Sequence, residues 1–392
     1  MIVLALNAGS SSLKFALFDV AGGAELELAR GGIPCTDVLE AGAAVFKALE
    51  GAPPPRAVGH RLVHGGPQHD VPEIIDARLR RDLEHAVPFS PLHLPRSLAL
   101  IDSVSARYGD LPQVACFDTA FHRTLPEIAR CFPLPQGLRD LGIRRYGFHG
   151  LSYEYIVQTL GPERLGRAVL AHLGSGSSLV AIRNGQAVDT TMGLTPSGGT
   201  MMGTRCGDID PGLLVYLMDH LGYDAGKIDA LVNRESGLLG VSGTTSDMKT
   251  LLDASTHDAR AELAVEMFCY SARKFIGAYA AALGGIDTLV FTGGIGEHAA
   301  AVRTRICAGL AHLGIELDEV LNVRNDESIG LRNDRCQVLV VRTDEERTIA
   351  RHTMSTTSRH HDGRDHDTRI IRVQASNPHT IHPGARCTRG HA

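Results

Sequence analysis

The amino-acid sequence predicts an α/β fold in which two similar domains arise from a duplication. Residues 3–13 and 169–179 both begin with Val-Leu-Ala and both end with Ser-Ser-Leu. The length of 392 residues exceeds what one hydrophobic core usually organises. Strand-like and helix-like segments then alternate along most of the chain, with antiparallel hairpins beside parallel units.

Each repeated segment predicts an apolar strand, a turn of small residues and a second strand. Such a turn leaves backbone N–H groups free to converge on an anion. Two of these turns therefore predict a cleft that holds a polyphosphate from both sides. Neither turn has the G-x-x-x-x-G-K-[ST] spacing of a P-loop, and a small polar turn taken alone is equally typical of a plain hairpin.

Apolar runs bounded by turn residues place the strands, and apolar residues at helical spacing place the helices. Asn184-Gly185 predicts a hairpin turn, and Ser152 is the expected N-cap of a helix. The predicted strands are 2–6, 13–20, 57–62, 114–118, 168–173, 177–183, 186–191, 289–292 and 337–341. The predicted helices are 41–49, 152–160, 212–220, 227–234, 259–283, 299–311 and one that begins at residue 344.

The composition excludes several classes of protein. Hydrophobic residues make up 43% of the chain and the net charge is −5, which gives no basic footprint for nucleic acid. We expect a cytoplasmic protein, because neither a membrane-spanning run nor a signal peptide is recognisable. The eight cysteines include no Cys-x-x-Cys pair, which indicates reduced thiols.

The end of the chain differs from the rest. Residues 355–392 are rich in His and Arg and lack periodicity, so we expect a disordered tail. The alternative is a metal site formed by His360, His361 and His366.

Several polar residues suit phosphoryl-transfer chemistry. In the first turn, Lys14 can supply charge to a polyphosphate, and Asn7 can hold its metal ion or a metal-bound water. Arg61 and Arg205 lie in loops flanked by glycine, and their planar guanidinium groups suit a carboxylate nucleophile and a phosphoryl group in transfer. Either arginine taken alone is equally compatible with a surface salt bridge.

Ten motifs, in order over roughly residues 1–352, resemble the acetate kinase family. They are NAGSSSLK (7–14), GHRLVHGG (59–66), PLH (91–93), FDTAFH (117–122), RRYGFHG (144–150), HLGSGSS (172–178), TPSGGTMMGTRCGDIDP (195–211), ESGLLGVSGTTSDM (235–248), FTGGIGE (291–297) and TDEE (343–346). The resemblance implies a duplicated ribonuclease H-like fold, as in actin, sugar kinases and heat-shock chaperone ATPases. It also implies reversible, Mg²⁺-dependent phosphoryl transfer from ATP to acetate by direct in-line attack, giving ADP and acetyl phosphate.

The resemblance assigns roles to the residues of the reaction centre. Arg61 is expected to bind the acyl substrate, while Arg205 and His149 stabilise the transition state. Asp118 matches the catalytic acid/base of the family. Acetate has a pKa near about 4 and is already an anion at neutral pH, so no proton has to leave the nucleophile. We therefore expect Asp118 mainly to orient Arg61, a metal-bound water or the substrate.

The resemblance also assigns the metal, acyl and nucleotide sites. Asn7 and Glu345 are expected to hold Mg²⁺, or Mn²⁺ in its place. His122 and His172 match family histidines, and His122 is expected to be structural. His93 flanks the expected substrate pocket, and a structural role is the alternative for it. The expected acyl pocket consists of Val63, Leu92, Phe148 and Pro196. Nucleotide contacts are expected from Lys14, His172, Leu173, Gly174, Ser175, Gly176, Asp247, Met248, Lys249, Gly294, Ile295, Gly296, Glu297 and His298.

Some positions depart from the family pattern. Ser175, Lys249 and His298 replace Asn, Arg and Asn, which leaves the nucleotide preference open. Leu94 replaces a polar residue, and the stretch between Asn7 and Arg61 is shorter by roughly a helix and a strand or two. The cleft motifs are complete.

The implied organisation has two domains. The first holds residues 1–119 and about 345–354 and binds the acyl substrate and metal, and the second holds residues 120–344, binds the nucleotide and forms a homodimer. Acetate is the expected substrate, with propionate weaker. The alternatives are a propionate or other short-chain acyl kinase and a non-catalytic, actin-like nucleotide-binding module.

Overall fold

Two β-sheets with helices on their faces form the framework. The computed structural model describes residues 1–9, 12–22, 24–34, 37–331 and 335–374, and beyond residue 360 it describes the backbone alone. The strands are β1 Ile2–Ala8, β2 Ser12–Ala21, β3 Ala24–Pro34, β4 Ala57–Leu62, β5 Glu73–Ile74, β6 Gln113–Phe117, β7 Arg167–Leu173, β8 Ser177–Arg183, β9 Gln186–Thr190, β10 Thr288–Thr292 and β11 Gln337–Val340.

The helices connect these strands. They are α1 Val38–Ala48, α2 Ala77–His85, α3 Leu94–Tyr108, α4 Glu127–Arg130, α5 Gln136–Arg139, α6 Gly150–Leu160, α7 Pro162–Leu165, α8 Pro211–Leu221, α9 Ala225–Ala230, α10 Gly237–Ser242, α11 Met248–Ala254, α12 Ala259–Leu283, α13 Gly293–His298, α14 Ala300–Cys307, α15 Glu319–Arg324 and α16 Glu345–Gln374. None of the described helices is long and apolar enough to cross a membrane.

The two sheets repeat one topology, which confirms the predicted duplication. The strand order is β3-β2-β1-β4-β6-β5 in the first sheet and β9-β8-β7-β10-β11 in the second. In both sheets an antiparallel three-stranded meander continues, beside its first strand, into two parallel strands. The repeated turns therefore lie at equivalent places, between β1 and β2 and between β7 and β8.

The central strand of each sheet is buried on both faces. Leu4 and Leu6 of β1 pack in one cluster with α1 and α3, whereas Val3 and Ala5 pack on the opposite face with α16. This division follows from the alternation of side chains along a strand. β7 alternates in the same way between a cluster with α12 and a cluster with α6. Both sheets are therefore covered by helices on two faces, as expected when parallel strands form the centre.

The last helix returns the chain to the first sheet. α16 packs against β1, β2, β4 and β6. At Gly59 in β4, an added Cβ would lie 2.1 Å from Oγ1 of Thr353 and 2.5 Å from Cγ2 of Ile349. Glycine therefore allows α16 to lie directly on the sheet. The domain boundaries at residues 119–120 and 344–345 stay a prediction.

The tail prediction was wrong at its beginning. α16 continues to Gln374, and Thr356 and Thr357 within it are buried, so the chain is still helical and packed at these two residues. His360 is exposed at the end of the part with described side chains. The side chains of His361 and His366 and the whole of residues 375–392 lie outside the described residues.

The other differences concern elements with weak sequence signals. The strand β3 and the helices α2 and α3 were not predicted. The helix predicted from Ser152 begins earlier, with His149 at its N-cap position, and Ser152 is buried inside its first turn. The helix predicted at 227–234 divides into α9 and a π-helical turn at Leu231–Glu235. Cys116, Cys131, Cys206, Cys269, Cys307 and Cys336 are free thiols, as predicted, while Cys35 and Cys387 lie outside the described residues.

The packing at Gly59 yields a stability prediction. Gly59→Ala should lower the free energy of unfolding by about 1–3 kcal/mol, because α16 must shift to admit the methyl group. Gly277→Ala is the matched control, since no atom lies within 4 Å of its added Cβ. In the interior of α12 this change should instead raise stability by about 0.5–1 kcal/mol. Urea unfolding measures both, and equal effects would contradict the described approach of α16.

Candidate functional site

The first part of the site forms at one edge of the first sheet. β1, β4 and β6 are parallel neighbours, so their carboxyl ends meet at that edge. Asn7 lies near the end of β1, Arg61 near the end of β4, and Asp118 directly after β6. Glu345 opens α16, which covers the same strands. The four residues therefore converge although they are far apart in sequence.

Arg61 is the centre of this cluster. Its Nε and Nη2 donate to Oδ1 and Oδ2 of Asp118 at 2.9 and 2.6 Å, and its Nη1 donates to Oδ1 of Asn7 at 3.1 Å. Glu345 Oε2 lies 4.0 Å from Arg61 Nε. Burial raises the pKa of the Asp118 carboxyl, and the attraction of Arg61 opposes that rise. Burial also acts to raise the pKa of Glu345, but Arg61 and His172 hold it below its ordinary value.

Asn7 joins β1 to the start of α16. Its Nδ2 donates to Oε2 of Glu345 and to Oε1 of Glu346, both at 2.8 Å. The second oxygen of Glu346 accepts a hydrogen bond from Arg30 Nη1 at 2.9 Å. Sequence reasoning missed Arg30 and Glu346. The TDEE motif contains Glu346, but no signal in the sequence links Arg30 on β3 to the site.

The second part of the site forms around the turn between β7 and β8. A Cβ added at Gly176 in this turn would lie 3.3 Å from Arg205 Nη1 and 3.4 Å from His149 Nε2. The imidazole rings of His149 and His172 stack with centroids 4.3 Å apart. Both residues expected to stabilise the transition state therefore reach the second small-residue turn.

His149 connects the two parts. Its backbone N–H hydrogen-bonds the Asp118 carboxylate, and the N–H of Gly150 donates to the Asp118 carbonyl at 3.0 Å. His149 has a φ of 58°, a left-handed conformation that is uncommon outside glycine and that is often found at functional sites. A Cβ at position 150 would lie 2.1 Å from the Asp118 carbonyl oxygen. The Gly150 position thus permits the close approach that fixes His149 beside Asp118.

The site is rich in cationic and neutral nitrogen groups. Burial, reinforced by repulsion from Arg61, lowers the pKa of Arg205 to about 10, so its guanidinium stays charged at neutral pH. Arg205 Nη1 donates to the Pro196 carbonyl at 3.1 Å and lies 3.7 Å from Met202 Sδ. Burial also lowers the pKa of His93 to about 3, and Arg205 and Arg61 add to this effect. This combination suits an anionic ligand.

A small apolar cluster adjoins the arginines. Val63 and Phe148, both predicted to line the acyl pocket, pack with Met192 and Met202. The two methionines were missed, because Met192 lies alone in a loop and nothing in the 195–211 motif links Met202 to a pocket. Leu92 is half-buried beside α3, and Pro196 contributes its carbonyl to Arg205. The structure thus brings Val63 and Phe148 together, and it places Pro196 next to them through Arg205 and Met202.

Some of the predicted nucleotide residues lie near the two small-residue turns, whereas others have structural roles elsewhere. His172, Leu173 and the turn at 174–176 lie beside His149, and Lys14 is exposed opposite Asn7 in the β1–β2 hairpin. In contrast, the Asp247 carboxylate caps α11 by accepting from the N–H of Thr250, and Met248 is buried in the core of the second sheet. Lys249 is exposed.

The predicted nucleotide segment after β10 also combines side chains with structural roles and an accessible backbone. Glu297 is buried, and its Oε1 accepts from the N–H groups of Gly293 and Thr343 at 3.0 and 3.2 Å, so this carboxylate joins two loops. Ile295 packs against the core, and His298 is exposed. A Cβ at Gly294 would meet no atom within 4 Å, which leaves the backbone there accessible. The backbone of this segment is therefore better suited to a ligand than its side chains.

The donor set fits a magnesium ion that is delivered with a phosphate ligand. Mg²⁺ is usually held by one or two carboxylates, and waters and phosphate oxygens complete its octahedron. The Glu345 carboxylate at Asn7 can supply this ligand, whereas both oxygens of Glu346 accept hydrogen bonds from Asn7 and Arg30. Asn7 itself uses its amide group on both glutamates and its oxygen on Arg61, so it bridges the carboxylates.

A phosphoryl-transfer enzyme is the class that this arrangement defines, since two arginines, a neutral histidine and paired carboxylates meet between two duplicated α/β halves. The profile of the Acetokinase family matches residues 47–351. The chain is 42% identical over 387 residues to an acetate kinase of Nitrobacter hamburgensis, covering 90% of this chain and 95% of that protein. It is 41% identical over 389 residues to an acetate kinase of Rhodopseudomonas palustris, covering 90% and 97%.

Solved structures agree with these relatives. The crystal structure of Porphyromonas gingivalis acetate kinase matches with a TM-score of 0.81 at 36% identity, covering 91% of this chain and 99% of that one. A propionate kinase from Francisella tularensis matches with a TM-score of 0.83 at 34% identity, covering 90% and 99%. The chain belongs to the acetokinase family.

The buried histidines predict a dependence of stability on pH. Burial lowers the pKa of His122 to about 4, and its Nε2–H donates to the Phe148 carbonyl at 3.0 Å, while its buried Nδ1 has no hydrogen-bond partner. The unfolded chain, with histidine pKa values near about 6.5, therefore binds more protons than the folded protein between about pH 6.5 and 4. The free energy of unfolding should fall as the pH falls through this window.

Replacing His122 tests this prediction. His122→Gln keeps an N–H donor for Phe148 but cannot titrate, so it should reduce the slope of stability against pH by up to about 1.4 kcal/mol per pH unit. His312→Gln, at an exposed position, should leave the slope unchanged. Urea unfolding at several pH values measures the slopes. An unchanged slope in His122→Gln would contradict a neutral, buried His122.

Proposed function

We propose that the protein is an acetate kinase, which transfers the γ-phosphoryl group of ATP to acetate and releases ADP and acetyl phosphate, reversibly. The observation that carries this proposal is the convergence of the Arg61–Asp118 pair with Arg205 and His149. A carboxylate oxygen of acetate attacks the γ-phosphorus, the bond from that phosphorus to the β–γ bridging oxygen breaks, and ADP leaves with the electron pair. No proton has to move in this step.

Arg61 is proposed to hold the acetate carboxylate. A planar guanidinium suits a carboxylate, and the bonds of Arg61 to Asp118 and Asn7 fix its orientation. Both oxygens of Asp118 already accept hydrogen bonds from Arg61, and acetate is an anion at neutral pH. Asp118 therefore acts as a positioning residue for Arg61 rather than as a general base.

Arg205 and His149 are proposed to stabilise the charge of the transferring group. Both approach Gly176, next to the turn whose backbone N–H groups can hold phosphate oxygens. Positioned charges and donors supply most of the catalysis in phosphoryl transfer, because the protein does little covalent chemistry. Glu345, which Asn7 holds in place, would hold Mg²⁺, which neutralises phosphate charge when bound.

Acetate is favoured over longer acids by the size of the apolar cluster. Val63, Phe148, Met192 and Met202 are all buried and pack on one another. A pocket lined by them would admit only a small alkyl group of the acid substrate. The nucleotide would be bound through the turn at 174–176, Lys14, Lys249 and the backbone near Gly294. Closure of the two domains would exclude water from the reaction.

A homodimer formed through the second domain and a cytoplasmic location complete the proposal. α8 exposes Leu213, Val215, Tyr216, Met218 and Leu221, and α12 exposes Leu263, Met267 and Tyr270. Large apolar side chains concentrated on two helices are typical of a surface that is covered by a partner.

Sedimentation equilibrium should give twice the monomer mass at micromolar concentration, and a monomer mass would contradict the dimer.

Replacing each of the two arginines by alanine should change kcat and KM differently. Arg205→Ala should lower kcat by about 10²- to 10⁴-fold with a small change in the KM for acetate, because it acts on the transition state. Arg61→Ala should raise the KM for acetate by at least about tenfold and also lower kcat, since it holds the nucleophile. Acetyl phosphate trapped as hydroxamate measures the rates.

The control for these variants is Arg56→Ala, which removes an exposed guanidinium near the same sheet. It should retain the wild-type rate. Full activity in Arg61→Ala or Arg205→Ala would remove the role proposed for that residue. Binding of ATP without formation of acetyl phosphate by the wild-type protein would favour the nucleotide-binding module.

The acyl pocket predicts substrate selection. The wild-type protein should have a higher kcat/KM for acetate than for propionate, and butyrate should be the poorest substrate. Val63→Ala removes two methyl carbons from the cluster, so it should shift the propionate-to-acetate ratio of kcat/KM upward by about 10- to 200-fold. Val71→Ala, at an exposed valine, is the matched control. A wild-type preference for butyrate would contradict this pocket.

A further inference from the structure

We propose that Ser178 and Tyr153 form a hydroxyl relay that fixes the ring proton of His149 on Nε2, the atom that faces the turn at Gly176. This inference rests on the proposed function for its kinetic consequence. Its structural content, the position of one proton, is independent of any substrate.

The relay is a continuous chain of buried groups. Ser178 Oγ lies 2.9 Å from His149 Nδ1 and 2.5 Å from the Tyr153 hydroxyl. Ser178 and Tyr153 have no exposed surface, and His149 is 9% exposed. Tyr153 projects from α6, Ser178 lies on β8 opposite His172, and His149 precedes α6. Two side chains, those of His149 and Tyr153, therefore meet at the buried Ser178 oxygen, where no bulk water competes.

The number of available protons gives the relay a direction. Ser178 Oγ is buried, and its partners among the described residues are His149 Nδ1 and the Tyr153 hydroxyl. If it accepted from both, its own buried O–H would have no acceptor, which is costly, so it donates to one partner and accepts from the other. The Tyr153 hydroxyl oxygen accepts a hydrogen bond from the backbone N–H of His172. Among the described residues, the side-chain acceptor within reach of the Tyr153 hydroxyl proton is Ser178 Oγ. Tyr153 therefore donates to Ser178, and Ser178 donates to His149 Nδ1. The proton of the neutral imidazole must then reside on Nε2.

The surroundings of His149 keep its ring neutral, so the nitrogen that carries the single proton decides whether the ring can donate toward a phosphoryl group. Burial lowers the pKa of His149 well below the usual value, and the charges of His172, Arg61, Arg205 and His122 act in the same direction. His149 is therefore neutral and carries a single N–H. With the proton on Nε2 the ring donates toward a phosphoryl oxygen, whereas with the proton on Nδ1 it would present a repelling lone pair.

The neighbouring histidine has a matching arrangement. His172 stacks on His149 with 21° between the rings, and Ser152 Oγ lies 2.9 Å from its Nδ1. A serine hydroxyl thus meets the Nδ1 atom of each stacked ring. The stack restricts rotation of His149, and the relay decides which of its nitrogens carries the proton.

Nitrogen NMR tests the proton position directly. Protein with ¹⁵N-labelled histidine, without nucleotide or acetate, should show His149 as the Nε2–H tautomer at neutral pH. Ser178→Ala should give a mixture of tautomers, and Ser178→Thr, which keeps the hydroxyl, should restore the Nε2–H form. A wild-type His149 protonated on Nδ1 or on both nitrogens would overturn the relay, even if the protein proved inactive toward acetate.

A double-mutant cycle tests the order of the relay. Ser178→Ala should lower kcat by about 10- to 100-fold with KM values for acetate and ATP within about twofold, since one transition-state donor is lost part of the time. Tyr153→Phe should have a smaller effect, because Ser178 can still donate to His149. The double variant should match Ser178→Ala alone, as Tyr153 acts only through Ser178.

The controls separate this role from a structural one. Thermal unfolding should show each variant folded, and Ser178→Thr should recover most of kcat. Effects that multiply in the double variant would show that Tyr153 acts independently, and they would overturn the relay. Loss of activity in Ser178→Thr while His149 keeps its Nε2–H form would overturn the kinetic consequence.

Discussion

The buried ion pair between Arg61 and Asp118 is the interaction on which the rest of the site depends. A guanidinium inside a protein must be paired and hydrogen-bonded, and loss of one partner of such a pair typically costs about 3–5 kcal/mol. Asp118 and Asn7 supply those bonds, and Asn7 extends the network to Glu345 and Glu346. The Arg61 charge therefore lies in the same hydrogen-bond network that joins the first strand to the last helix.

The duplicated fold explains why the second half meets this pair. Each sheet places a small-residue turn next to its central strand, and His149 joins the two halves through its bond to Asp118 and its approach to Gly176. The left-handed conformation of His149 and the absence of a side chain at Gly150 allow His149 to contact both Asp118 and the turn at Gly176. Cations then predominate on the side of the second turn and carboxylates at the start of α16, which suits a phosphate chain that carries a metal ion.

The sequence predicts those parts of the site in which residue type and motif coincide. The repeated turns predicted the duplication, and the collinear motifs included Asn7, Arg61, Asp118 and Glu345. The strand β3 was missed because most of its side chains are exposed or half-buried and ion pairs such as Arg30 with Glu346 hold it to α16. Such long-range pairs, like the packing of Met192 and Met202 on Phe148, have no local pattern. Asp247 and Met248 matched a motif, but capping and core packing occupy their side chains.

The most direct test is a crystal structure of the protein with ADP, Mg²⁺, acetate and aluminium fluoride as a mimic of the transferring phosphoryl group. We expect acetate on Arg61 with the Asp118 pair intact, and Arg205 and His149 Nε2 within hydrogen-bond distance of the mimic. Aluminium fluoride bound away from Gly176, or an Arg61 that leaves Asp118 and makes no contact with acetate, would contradict it.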